Sequence, residues 1–138
     1  AEVLRLAAEF GAKCGVAHRM DLVSGDMFAD PVPEGHDGVL LSNILHDWDI
    51  PECERLLKKL RDSVEVRTPL WIHDVYLNDS LDGPLPIALY SAALFSLTEG
   101  RAYSTAEYRT MLRHCGFLDQ PAVLPTAVHC GVLTARAV

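Results

Sequence analysis

A chain of 138 residues, 49% of them hydrophobic, buries one core but not two, and its 22% charged fraction is that of a folded globular protein rather than a disordered tail. A net charge of −7 without a Lys/Arg cluster offers no phosphate-tracking stripe, which excludes nucleic acid and an anionic membrane surface as expected partners. Four well-separated cysteines, Cys14, Cys53, Cys115 and Cys130, form no CxxC pair, so reduced thiols in a cytoplasmic protein are expected, with neither a disulfide scaffold nor zinc-ligand spacing.

The chain opens without methionine, inside a helical pattern and with no visible cap, which predicts that it begins within a longer protein. Over 2–14, Val3, Leu6, Ala7 and Phe10 fall near helical spacing, opposite Glu2, Arg5, Glu9 and Lys13, and Gly15 reads as the stop. Residues 19–23 read as a short strand entering Gly25-Asp26-Met27-Phe28, and a Pro, Gly and Asp-rich loop follows over 29–38. Residues 39–45 are an uninterrupted, mainly apolar run of strand length, as a strand covered on both faces requires, and it ends at His46-Asp47-Trp48-Asp49. A helix follows over 51–63, with Pro51 in its first turn, then a strand over 70–77 and a loop over 78–86.

Residues 84–97 are the longest apolar stretch, too short and too polar to span a bilayer, and 87–97 read as an apolar helix. Ser104-Thr105-Ala106-Glu107 has the shape of a capping box opening a helix over 104–115, closed by Gly116. Segments 123–124 and 127–134 read as closing strands, an antiparallel pair turning near Pro125. Helix and strand alternate, which predicts an α/β fold with a largely parallel sheet and ligands beyond the carboxyl ends of its strands.

His46 stands at such an end. An imidazole with a pKa near ~6.5 accepts a proton at neutral pH, and Asp74, on the next strand, is placed to fix its tautomer. From spacing alone, a loop-fixing histidine and a helix-capping Asp74 remain open. Asp26 and Met27 offer an acceptor and a soft face to a flat heterocycle, against the plainer reading of a turn aspartate. Trp48 is read as core more readily than as a functional aromatic, and His73 as structural. The pairs His46-Asp47 and His73-Asp74 admit a metal-dependent hydrolase, but strand alternation splays each pair to opposite faces, so no metal is expected.

Taken together, Gly25-Asp26-Met27-Phe28, Ile44-Leu45-His46-Asp47-Trp48, the block Thr98-Glu99-Gly100-Arg101…Glu107-Tyr108 and Cys115-Gly116-Phe117 resemble the small-molecule O-methyltransferases of the plant caffeate, acetylserotonin and bacterial antibiotic-tailoring type. The resemblance spans essentially the whole chain. It implies a Rossmann-like methyltransferase sheet, mostly parallel with an antiparallel last strand, of which the N-terminal part is missing. It also implies S-adenosyl-L-methionine as cofactor and a small hydroxylated, phenolic or enolic, substrate. By position, His46 matches the general base, Asp47 its acidic neighbour and Asp74 a flanking carboxylate. Gly25, Asp26, Met27 and Ser42 match the cofactor side, Ser42 replacing a commonly basic residue. Ala102 stands where a second flanking carboxylate is usual.

The resemblance further implies that residues 1–138 are the C-terminal portion of a catalytic domain. The glycine-rich cofactor loop and an N-terminal dimerisation domain would precede it, and the full-length form would be a homodimer. The alternative expectation is an inactive fragment that serves only as a packing or interaction module.

Overall fold

The computed structural model describes residues 2–138. They form two compact units divided between Pro31 and Val32. In the first, helix α1 (Glu2–Lys13) carries an exposed ion pair from Arg5 to Glu2 and Glu9, and a 3-10 turn follows at Ala17–Arg19. The strand expected over 19–23 does not form. A strand exists only through the partner that takes up its backbone groups. No such partner lies among the described residues, and Met20, Leu22 and Val23 stay exposed.

The second unit contains β1 (Val39–Ser42), α2 (Ile50–Ser63), β2 (Pro69–Leu77), α3 (Leu85–Leu97), β3 (Tyr103–Ser104), α4 (Thr105–His114), β4 (Phe117–Pro125) and β5 (Cys130–Ala137). The sheet order is β1-β2-β5-β4, with β3 pairing beside β2 at Tyr76 and Leu77. β1 and β3 run parallel to β2, β5 runs antiparallel to it, and β4 runs antiparallel to β5. Four strands therefore point one way and the last one opposes them, which is the mixed α/β sheet with an antiparallel final strand. The closing pair is longer than the sequence suggests: β4 begins at Phe117, and the left-handed Val128 and His129 place the turn before Cys130.

Side-chain alternation along β2 puts Leu70, Ile72 and Asp74 on one face. Tyr108 of α4 reaches Asp74, so α4 covers that face, and α2 packs beside it through buried Cys53, Leu56, Leu57 and Leu60. The helices start where their caps dictate. Asp49 accepts from Glu52 N at the head of α2, and Ser104 and Glu107 exchange both bonds of the capping box at the head of α4; such caps contribute about 1 kcal/mol each. On the opposite face, Ile87 of α3 joins Val75, Leu77 and Ala102 in a small apolar cluster, while Leu40, Ser42 and Trp71 remain exposed. β1 is thus covered on one face only within this unit. The expectation of two-sided burial fails because no helix of the unit lies over Leu40 and Ser42.

Candidate active site

The apolar run expected as one strand over 39–45 stops at Ser42. Asn43 adopts a left-handed φ of 53°, a conformation asparagine tolerates better than most residues, while its N–H still donates to His73 O at 2.9 Å. The chain then turns through a 3-10 segment, Leu45–Asp47, and His46 arrives on that turn rather than on a strand end. The register explains what it meets. Ser42 pairs with His73, so the next residue of β2, Asp74, lies just past the end of β1.

His46 Nδ1 lies 2.5 Å from Asp74 Oδ1, with both side chains buried. Asp74 Oδ1 also accepts from Val75 N at 2.8 Å, and Oδ2 accepts from the Tyr108 hydroxyl at 2.9 Å. A carboxylate only accepts, so Nδ1 carries the proton of the neutral ring and Nε2 holds the lone pair. Burial pushes the imidazole pKa down. The hydrogen bond and charge of Asp74, helped by the charge of Asp47, push it up by more, and it lies above the ordinary 6.5. Asp47, half-exposed, brings Oδ1 to 3.7 Å from Nε2. Burial and the neighbouring Asp74 raise the Tyr108 hydroxyl well above the usual tyrosine range, so it remains a donor.

The turn that carries His46 is clamped from two sides. The Cys53 thiol, pushed up to about 12 by burial and then by Asp49 and Asp74, stays protonated and donates to Leu45 O at 3.1 Å. The Tyr103 hydroxyl donates to Trp48 O at 2.6 Å, and Glu99 N donates to Asp47 O at 3.2 Å. Between these lies Gly100: a Cβ there would fall 2.5 Å from Trp48 N, 2.6 Å from Trp48 O and closer still to His46 O. Arg101 pairs with Glu107 and stacks 4.5 Å from the Tyr103 ring centre, joining the clamp to the cap of α4. The block from Thr98 to Tyr108 is therefore a physical unit. Its glycine lets the turn approach, its tyrosines bond the turn and Asp74, and its glutamate caps the helix that carries Tyr108.

The other residues singled out in the sequence are placed as follows. Asp26 Oδ1 accepts from Phe28 N at 2.8 Å and its own N–H donates to Asp30 Oδ2 at 2.7 Å, closing a turn with Met27 partly exposed. Ser42 Oγ lies 2.9 Å from His73 Nδ1, and His73 Nε2 lies 3.2 Å from Thr126 Oγ1. Ala102 is fully buried in the apolar cluster with Val75 and Ile87. Both His73 nitrogens face hydroxyls, and no group of three His, Cys, Asp or Glu among the described residues is arranged as a metal site. A cavity of about 850 Å³ opens near Val32, Asp37 and Pro69, at the start of β1 and β2 and away from His46. From the sequence, Tyr90 reads as pocket wall or as packing against the sheet and Gly100 as one residue of the motif block; neither reading, nor anything at Cys53, anticipates contact with the His46 turn, because that contact is tertiary. The Glu107-Tyr108 dipeptide in the motif was the available signal for Tyr108.

The family model described as an O-methyltransferase domain matches residues 1–118. Over 114 residues the chain is 40% identical to 3-hydroxy-5-methyl-1-naphthoate 3-O-methyltransferase of Streptomyces sahachiroi, covering 83% of this chain and 33% of that protein. It is 35% identical to bovine acetylserotonin O-methyltransferase over 101 residues, 73% of this chain and 29% of the relative. The chain thus spans about a third of the length of the curated relatives it matches. Among solved structures, an O-methyltransferase family 2 protein of Planctomyces limnophilus in complex with apigenin superimposes with a TM-score of 0.93 at 48% identity, over 99% of this chain and 40% of that one. Human N-acetylserotonin methyltransferase in complex with SAM gives 0.81 at 29% identity, over 87% and 34%. No helix among the described residues is long and apolar enough to cross a membrane. With the family model matching most of its length, the chain belongs to the S-adenosylmethionine-dependent small-molecule O-methyltransferases.

Proposed function

We propose that this chain carries the proton-accepting part of an enzyme that moves the methyl of S-adenosyl-L-methionine to a phenolic hydroxyl of a small molecule, with His46 as general base. The observation that carries the reading is the buried 2.5 Å contact between His46 Nδ1 and Asp74, which leaves the Nε2 lone pair as the ring's basic site. The donor set of the Gly25–Met27 turn fits the adenine end of the cofactor: Phe28 N occupies Asp26 Oδ1, and the second, exposed carboxylate oxygen is left to accept from an amine beside the Met27 thioether. Ser42, in the other unit, is bonded through its hydroxyl to His73 and carries no charge. When bound, the sulfonium supplies an electrophilic methyl group.

His46 Nε2 takes the acceptor's proton as the oxygen is alkylated, and Asp74 holds the ring in the required tautomer and stabilises the imidazolium that forms. A phenol near ~10 and an ordinary imidazole near ~6.5 differ by about 3.5 units, roughly 5 kcal/mol for full prior ionisation. The upward-shifted His46 narrows that gap. An aliphatic alcohol would widen it beyond what one base can supply. The relatives named for a naphthoate hydroxyl and for acetylserotonin, and the neighbour holding apigenin, support a phenolic acceptor. We propose further, on the motif resemblance alone, that the complete protein is a cytoplasmic homodimer.

In the complete protein, His46→Ala is expected to cut turnover by about 10²-fold or more while cofactor binding survives. The unsubstituted enzyme should lose activity on the acid side through one ionisation lying above the ordinary histidine value, because the base must be unprotonated. Unchanged turnover in the alanine variant would remove His46 from the mechanism.

A second reading, a non-catalytic packing module, is favoured by the exposed Leu85, Leu89, Phe95 and Leu97 on α3. Calorimetric titration of the 138-residue chain with S-adenosylmethionine separates the two. Micromolar affinity supports a cofactor site, and silence supports the module.

A further inference from the structure

Tyr90 stands on α3, one turn beyond the residue that anchors the helix, Ile87. Its hydroxyl lies 3.4 Å from His46 Nε2, and the two rings meet edge-on, 5.6 Å between centres and 88° between planes. His46 is only 4% exposed, while Tyr90 itself is 40% exposed. Asp74 occupies one imidazole nitrogen and the Tyr90 phenol faces the other. The titratable groups facing the ring are Asp74 from β2, Asp47 from its own turn and Tyr90 from α3, with Tyr108 of α4 acting through Asp74 and Cys53 of α2 through Leu45 O.

An acceptor can give its proton to Nε2 only from the place where the Tyr90 hydroxyl now sits. At 3.4 Å the contact is longer than a well-made hydroxyl bond of about 2.8 Å, so exchanging it for a better one costs little. We infer that Tyr90 is an internal stand-in for the acceptor: its phenol covers the base and hydrogen-bonds Nε2 until an acceptor phenol displaces it. Tyr90 is thereby a positioning and specificity residue. It keeps the neutral ring occupied, and it favours flat aromatic hydroxyls able to replace a phenol in the same edge-on slot. This rests on His46 being the base, and it adds what guards that base.

Two measurements on the full 138-residue chain test it without turnover, so they can fail independently of the proposed activity. The hydroxyl donates to the lone pair of the neutral ring and can turn to accept from the charged one, so the bond is read at a pH where the ring is neutral. Tyr90→Phe, which keeps the ring and removes the donor, should there move the nitrogen NMR shift of His46 Nε2 downfield, toward that of a free lone pair. Tyr90→Ala, which removes the cover, should speed carbethoxylation of His46 severalfold, read by mass spectrometry at a pH well above the ring's titration, with His129 as internal reference. An Nε2 shift unmoved in Y90F overturns the hydrogen bond, and a rate unmoved in Y90A overturns the cover. Either result sinks the proposal. Should Y90A fail to fold, the Y90F spectrum decides alone. Loss of turnover in H46A with both Tyr90 results negative would leave the base standing and remove only its guard.

Discussion

The His46–Asp74 pair and the Gly25–Asp30 turn are the two chemically loaded regions of the chain, and they are built in opposite ways. Residues from α2, β2, α3, β3 and α4 converge on the His46 turn or its carboxylate, and the pair is buried. The aspartate turn is closed by hydrogen bonds between residues at most four apart, and Asp26 is exposed. A group that moves a proton needs its tautomer, orientation and pKa fixed, and only a tertiary frame fixes all three. A group that accepts one hydrogen bond from an incoming ligand needs a backbone shape and an open oxygen, which a local turn provides. Substitutions should therefore propagate in the first region and stay put in the second.

The sharpest way to break this contrast is the same change made in each region. Gly100→Ala places a methyl among backbone atoms of His46 and Trp48, which cannot rotate away. The turn must move, at a cost of about 3 kcal/mol or more in unfolding free energy, and His46 loses Asp74. Gly25→Ala meets the carboxylate end of Asp30 at 2.9 Å, a side chain that can swing aside at the expense of its bond from Asp26 N, so a cost of about 1 kcal/mol is expected. Urea unfolding of the two variants measures both. Equal costs would mean that the turn is as rigidly framed as the active pair.

Tyr108→Phe sharpens the comparison from inside the frame. The ring can still pack against Tyr76 and Tyr103, whose centres lie 5.4 and 5.5 Å away, but Asp74 Oδ2 loses its donor. A buried acceptor left without a partner costs about 1–3 kcal/mol. Thermal or urea unfolding should show that loss without a change in secondary structure by circular dichroism. A cost indistinguishable from zero would mean that water or a neighbour replaces the phenol.

The two regions also differed in how far the sequence revealed them. Elements whose signal is local were read to within a few residues: the capping box at Ser104, the helix beginning near Pro51, and the apolar strand containing Leu70 and Ile72. The pairing of His46 with Asp74 was anticipated because parallel neighbours must bring successive strand ends together. The end of β1 was not: Ser42-Asn43 interrupts the apolar residues, but an asparagine permits a left-handed φ without announcing one. The supposed strand at 19–23 failed for the complementary reason, being apolar without a partner. Cys53 was invisible as a site residue and Tyr90 was legible only as pocket wall or packing, because a thiol on an amphipathic helix and an aromatic on an apolar one carry no signal of what they will face.

The smallest effect on stability is expected at Asp26, where the substitution also asks whether the turn has a function at all. Asp26→Asn keeps an oxygen for Phe28 N, so the turn survives and unfolding free energy should change by less than about 0.5 kcal/mol. What the amide removes is the negative charge and, in one of its two orientations, the outward acceptor. An exocyclic amine bound there loses a charge-assisted hydrogen bond, and affinity for S-adenosylmethionine in the complete protein should fall about tenfold, equivalent to about 1.4 kcal/mol. Unchanged affinity would reduce Asp26 to a turn residue.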